Sequence, residues 1–321
     1  MHKLTATFRI VTPMFISGAD QTKAELRAPS IKGALRFWWR ALNWSRLNNE
    51  KNLNQNEVLK ALRREERLLF GDADDSGQSR ILIKLDKELV GSVSGDQLLD
   101  NDQRRKYLGY GLFTMGENRQ RFAITEDEIF NIDILLKRKV TEGQHQQLID
   151  SIKLLGMLGG VGSRCRRGFG SLEVQSLNGE KYEYNSLDDY RSSVSNLLKI
   201  DTSSSNEPSY TAISRNVRVV YGPQNIRSEE AHRHIGGQYE AFRTQHQHEP
   251  RKKFFGLPLG GLGYDKKNRR ASPLFFHIHP IGNKFVPVIL YIPAKFHKKY
   301  SSHNFSLVEE FVNAYREEAN S

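Results

Sequence analysis

The order in which strand-like and helix-like patterns follow one another up to residue 177 leaves few folds open. Residues 3–11 alternate and are rich in Thr, Phe, Ile and Val, the pattern of a half-buried strand. Pro29 and Ser30 then open a helix, since proline suits a first turn and serine can cap orphan N–H groups. A second helix fits NEVLKALRREERLLF, with Val58, Leu59, Leu62 and Leu69 at helical spacing. SRILIKL reads as a short strand and FAITEDEIFNIDILLKRKV as one or two more. EGQHQQLIDSIKLLGML reads as a helix ending in glycine, and GFGSLEVQSL as a strand again. The resulting β–α–(α)–β–β–α–β order is that of a ferredoxin-like unit.

Residues 178–208 are polar and turn-rich around one short helix, Leu187 to Leu198, and make the expected boundary. Two domains are therefore expected, 1–180 and 181–321. The second repeats the theme less clearly. It offers a strand in YTAISRNVRVVYG, a helix from Ile226 to Arg243, a hairpin around Gly282-Asn283 and a final helix from Leu307 to Glu318. Nothing recurs at a fixed period of roughly 20–50 residues, so a solenoid is not expected.

Charge narrows the partner. The chain carries 48 Lys and Arg against 37 Asp and Glu, a formal net charge of +11. An excess of this size in a folded protein fits a polyanion, or solubility alone, and the clustering of the cations decides between them. No apolar run approaches the ~18 residues of a membrane span, and the N-terminus has no apolar leader region. The single cysteine, Cys165, excludes an internal disulfide and fits a reducing cytoplasm.

Two stretches gather the cations. In the opening helix, Ile31, Leu35, Trp38 and Leu42 fall within about 60° of one another at 100° per residue, which makes them the core face. Lys32, Arg36 and Arg40 form a stripe beside it. Trp39 lies between the stripe and the core, and fits either an indole offered to a base or a core side chain. The helix start adds free N–H groups near Ser30. The second stretch, GMLGGVGSRCRRGFGS, sets Arg164, Arg166 and Arg167 among Gly159, Gly160, Gly162, Gly168 and Gly170. Glycine lets a backbone approach phosphate closely, and arginine supplies forked donors for the same oxygens. The loop spells neither a P-loop nor a dinucleotide fingerprint. Arg167-Gly168-Phe169-Gly170 matches the first places of the RNP1 pattern but lacks its later aromatics, so an ordinary RRM stacking platform is not expected.

A second basic loop, RKKFFGLPLGGLGYDKKNRRASP, places Arg251, Lys252, Lys253, Lys266, Lys267, Arg269 and Arg270 around close glycines. It fits RNA, an acidic partner or a solvated loop. The pairs His232/His234, His246/His248 and His277/His279 lack companion ligands at zinc spacing, and no acid–base pair stands out. GDADDSGQSRIL begins like a calcium loop at Asp72 and Asp74 but has Ile83 where the bidentate glutamate belongs. Asp20 reads as a loop residue. No metal or other cofactor is expected.

The stretches TPMFISGADQTKAELRAPSIKGALRFWWRAL, LLFGDADDSGQSRI, LLGMLGGVGSRCRRGFGSL and RRASPLFFHIHPIGNKFVPVILYIP resemble the RAMP superfamily. Within it they resemble the first-numbered subunit of Cmr, the type III-B CRISPR RNA-silencing complex. The resemblance implies an α+β chain of two ferredoxin-like (RRM-like) domains packed around a shared basic cleft, at the head of that complex. It implies contacts with other RAMP subunits of the complex and with guide RNA and target RNA near the guide 3′ end. It also implies no catalytic residues, because target cleavage belongs to the backbone subunit. The RNA-facing residues it points to are Ser30, Lys32, Arg36 and Arg40, then Arg164, Arg166 and Arg167, and secondarily Arg269 and Arg270. Trp39, Gly160 and Gly162 join them from the residue chemistry above. Cys165 departs from the small or polar residue common at its place. Two rival readings are a guide-processing endoribonuclease using His232 or His234, and a protein-only assembly module.

Overall fold

The computed structural model describes residues 2–50, 54–72, 78–114, 120–137, 139–198, 207–257, 269–296 and 304–320. The first unit is built from β1 (His2–Ile10), α1 (Ala28–Glu50), α2 (Gln55–Phe70), β2 (Ile81–Leu85), β3 (Ile129–Leu136), α3 (Glu142–Leu158) and β4 (Leu172–Leu177). Its strands lie in the order β4–β1–β3–β2, every pair antiparallel, and Glu180–Lys181 adds a short edge beyond β4. That is the ferredoxin-like arrangement. Alternation fixes the register. Leu4, Ala6 and Phe8 stand opposite Ile134, Ile132 and Phe130, all buried. The other face is polar and satisfies itself, with Thr5 Oγ1 donating to Asp133 at 2.8 Å, Thr7 Oγ1 to Asn131 at 2.7 Å and Arg9 Nε to Glu173 at 2.7 Å.

The helices start where their caps dictate. Asn54 and Glu57 form a capping box on α2, and Thr141 and Gln144 form one on α3. In α1, Ala28 is already helical, so Pro29 and Ser30 sit inside the first turn instead of capping it. The helix also runs past Leu42, because Trp44 and Leu47 continue its buried stripe. Small antiparallel pairings between β1 and β3 escaped the sequence reading. Met14–Phe15 and Val93–Ser94 flank Phe122–Ile124, and Ala24–Leu26 pairs with Leu89–Gly91.

After α4 (Leu187–Leu198), the second unit contains β5 (Arg218–Tyr221), α5 (Ser228–Gln245), β6 (Leu274–Ile281), β7 (Lys284–Tyr291) and α6 (Ser306–Asn320). Its sheet order, β5–β7–β6, is the ferredoxin-like order without a fourth strand. The expected strand from residue 210 is much shorter. Residues 210–213 cross α1 instead, Ile213 N donating to Ala41 O at 2.9 Å and Tyr210 Oη to Arg40 O at 3.1 Å. β6 is buried along its whole length. One face of its sheet packs with α5 and α6, and the other joins the core of the first unit. The glycine-rich loop takes up its free edge. Phe276 N donates to Arg166 O at 3.1 Å, and Ile278 N to Ser171 Oγ at 3.2 Å.

Candidate nucleic-acid interface

The basic stripe of α1 lies against α2. Arg36 Nε and Arg40 Nη1 each donate to the same oxygen of Glu66, both at 2.8 Å, and Glu66 is 5% exposed. The expectation that these two arginines face a phosphate chain is therefore corrected: one carboxylate from the protein itself holds them both. The signal was present in α2, where Glu66 extends the apolar stripe Val58–Leu62 by one more turn. Trp39 needs the same correction. It is fully buried, its Nε1 donating to Gln147 Oε1 at 3.1 Å and its ring edge-on to Phe70, so it offers no face to a base. Lys32 is different. Among the described residues it has no ion pair, and burial, with Arg36 and Lys137 nearby, holds its ammonium below the usual lysine range.

The glycines of the loop answer to the chain's own packing. A Cβ on Gly160 would stand 2.6 Å from Gly170 O, and one on Gly162, at φ +100, 2.5 Å from Phe15 O. Gly170, at φ +63, meets Val161 O at 2.1 Å. Close approach is needed, but to backbone carbonyls of the fold. Phe169 is buried edge-on between Phe15 and His232, which removes the RNP1-like aromatic from the surface.

The loop's arginines are held without carboxylates. Arg164 donates from Nε and Nη2 to Tyr110 O at 2.8 and 2.5 Å. Arg166 donates to Ser272 O at 2.5 Å and lies 4.2 Å from the Phe275 ring centroid and 5.5 Å from that of Phe37. Burial pushes its guanidinium down to about 10. Arg167 stacks over Tyr239 and Phe276 at 4.8 and 5.3 Å. A guanidinium kept charged by aromatic faces and carbonyls keeps its attraction for an outside anion.

Two cavities meet at this loop. A groove of about 610 Å³ runs between the first turns of α1 (Ser30, Ala34, Phe37, Trp38), residues 15–18 and Gly160–Ser163, with Arg121 and Arg166 at its sides. A cleft of about 1180 Å³ opens on the other side of Cys165 and Arg166. It is lined by Arg164, Arg167 and Arg270, and by Lys106 and Arg243, which the sequence reading did not single out. Neither cavity has Asp or Glu among the described residues that line it. Arg243 stands one turn after Tyr239 on α5, a spacing legible in the sequence, but its pairing with Arg167 depends on the tertiary fold. So α1 does share a groove with the loop, through Ser30 and not through Arg36 or Arg40. Arg269 is exposed and lines neither cavity. Arg251 is tied to Glu249 and Glu310. Lys266, Lys267 and the glycines beside them lie outside the described residues, as do Asp74 and Gly77.

The histidine pairs are interior features where the sequence made them candidates. His232, His277 and His279 are fully buried, and burial holds the imidazoles of His232 and His277 down to about 3. His277 lies 2.9 Å from Gly159 O and 3.2 Å from His279, which stacks on Tyr190. His277 and His279 are therefore closed to an outside ion or phosphate. Asp20 accepts from Thr22, and Asp72 pairs with Arg67. Among the described residues no cluster of three His, Cys, Asp or Glu is placed to hold a metal, and no helix is long and apolar enough to cross a membrane.

The family model described as RAMP superfamily matches residues 7–173. The chain is 29% identical over 301 residues to CRISPR system Cmr subunit Cmr1-1 of Pyrococcus furiosus, covering 87% of this chain and 83% of that one. The crystal structure of Cmr1 from Pyrococcus furiosus, in its apo form, matches with a TM-score of 0.69 at 22% identity, over 98% of this chain and 97% of the other. A chain of the cryo-EM structure of type III-B Cmr-beta bound to cognate target RNA matches with a TM-score of 0.59 at 13% identity, over 97% and 99%. At these identities the two structures speak for the fold.

Proposed function

The chain belongs to the RAMP superfamily, and on that premise we propose that it is a non-catalytic RNA-binding and assembly subunit of a type III-B CRISPR (Cmr) RNA-silencing complex. It contacts guide and target RNA near the guide 3′ end and packs against neighbouring RAMP subunits. The observation that carries this reading is the acid-free pair of cavities joined at Cys165 and Arg166. A strand laid there meets the first turn of α1 at Ser30 and the side chains of Arg121, Arg164 and Arg166. These groups read phosphate and sugar, so guides of any sequence fit. The similarity to a Cmr subunit over most of both chains supports the assembly role.

A nuclease reading has less support. His232 is enclosed and its imidazole stays neutral far below neutral pH, so it can reach no substrate proton.

The test is RNA affinity measured by fluorescence anisotropy across a salt series. The expected result is a steep fall of affinity with salt, and a slope shallower by about one in Arg166→Gln. An affinity indifferent to salt, or an Arg166→Gln slope equal to the parent's, overturns the RNA reading and leaves protein-only assembly. Defined cleavage of labelled repeat RNA without metal overturns the non-catalytic part.

A further inference from the structure

The cleft holds more positive charge than the protein compensates. Arg167 and Arg243 lie over the two sides of one side chain, 4.8 and 5.2 Å from the Tyr239 ring centroid. Neither has a carboxylate within ion-pair distance. Arg243 Nη1 donates to Tyr239 Oη at 2.9 Å, yet Arg243 Nε and Arg167 Nη1 are sealed from solvent and have no hydrogen-bond partner. Proteins seldom leave buried guanidinium donors unmatched, because each forfeits its hydration for nothing. Tyr239 is the nearest substitute for a counter-ion. Burial alone would push its phenol up, but Arg167 and then Arg243 and Lys252 outweigh this and hold it below the usual tyrosine range.

We propose that this end of the cleft is a phosphate site, in which Arg167 and Arg243 take the phosphate of a nucleotide whose base lies against Tyr110. A phosphate supplies the acceptors that the two guanidiniums lack, with charge-assisted bonds in forked geometry. Tyr110 is the aromatic that suits the base. It lines the same cleft, is 62% exposed, and its carbonyl fixes Arg164. The volume, about 1180 Å³, accommodates a nucleotide with room for chain on either side. The site goes beyond the RNA-binding reading and rests on it only for the source of the phosphate.

Thermal-shift and calorimetric titrations of the full chain with AMP, adenosine and inorganic phosphate test it. AMP is expected to raise the melting temperature where adenosine does not. Arg243→Gln is expected to weaken AMP on the order of tenfold, the loss of a charged hydrogen bond. Tyr110→Ala, at an exposed position that folding does not need, is expected to weaken AMP and leave inorganic phosphate unchanged. Short RNAs with hydroxyl or phosphorylated ends identify the source. A loss in Arg243→Gln for both assigns the site to chain diesters, and a loss confined to the phosphorylated RNA assigns it to an end; either supports the site. If AMP and adenosine act alike and Arg243→Gln binds every RNA as the parent does, the site is refuted. Because AMP binding needs no RNA strand, RNA that fails to bind while AMP succeeds counts against the proposed function alone.

Discussion

At the scale of single residues, Glu66 decides what α1 can do with its cations. One carboxylate oxygen accepting from two guanidiniums leaves the trio with a residual positive charge but no free geometry. Removing the acid leaves two neighbouring arginines to repel each other beside a buried position. Glu66→Gln is expected to cost about 1–3 kcal/mol in urea unfolding, below the full penalty of a buried pair because both arginines are about one-third exposed. RNA affinity should hold or rise, since a negative charge is gone. If Arg36→Ala instead weakens RNA without loss of stability, the stripe faces RNA after all. Trp39→Phe belongs to the same test. Loss of its bond to Gln147 should cost about 1 kcal/mol and leave RNA affinity alone.

At the scale of elements, two glycines separate a structural demand from a free choice. Gly162 is in the left-handed region with Phe15 O close behind it. Gly162→Ala is expected to cost about 2 kcal/mol or more, because the strained backbone and the carbonyl must both yield. Gly33 sits on the exposed side of α1, and a Cβ there would meet nothing within 4 Å. Gly33→Ala should therefore stabilise by roughly 0.5–1 kcal/mol, the ordinary helix gain. Equal effects of the two substitutions in thermal unfolding would contradict this account. The contrast also shows what the sequence made legible. α3 begins and ends where expected because its signals are local: Thr141 and Gln144 close a capping box at one end and Gly159 stops it at the other. The hairpin of β6 and β7 is local in the same way. The path of residues 210–213 was not legible, because their backbone pairs with α1, far away in sequence. The site divides similarly. Arg164, Arg166 and Arg167 share one stretch and stand out. Arg243, Lys106 and the tether on Arg36 and Arg40 come from other elements, which only the fold brings near. The glycine spacing could be seen, but not that carbonyls of the protein, and not a phosphate, set its need for room.

At the scale of the molecule, the two ferredoxin-like units are joined through buried polar groups, and this makes stability depend on pH. β6 carries His277, whose Nδ1 faces Gly159 O at 2.9 Å, and α5 carries His232, whose Nε2 faces Arg167 O at 2.8 Å. A carbonyl only accepts, so each of these nitrogens donates and each ring is neutral. His277 Nε2 is then the acceptor for His279 Nδ1, which leaves no place for a further proton without setting a cation in the core. The imidazole of His232 is held to about 3 by burial first and Arg105 second, opposed by its bond to Arg167 O and by Asp102. In the unfolded chain the same group titrates near 6.5. Between those values the unfolded chain binds the proton and the folded chain does not, so acid favours unfolding. Above about 6.5 the group contributes no pH dependence, and below it stability falls by about 1.4 kcal/mol per pH unit for each such histidine. Carboxylates add their own losses at lower pH, so the informative quantity is a difference. In urea unfolding at pH 7 and pH 5, His232→Gln keeps a donor for Arg167 O and cannot titrate. Its stability drop should be smaller than the parent's by about 2 kcal/mol. An equal drop in the two proteins would mean that His232 is already protonated in the folded chain, and that the contact between α5 and the glycine-rich loop is made by a cation instead of a neutral ring.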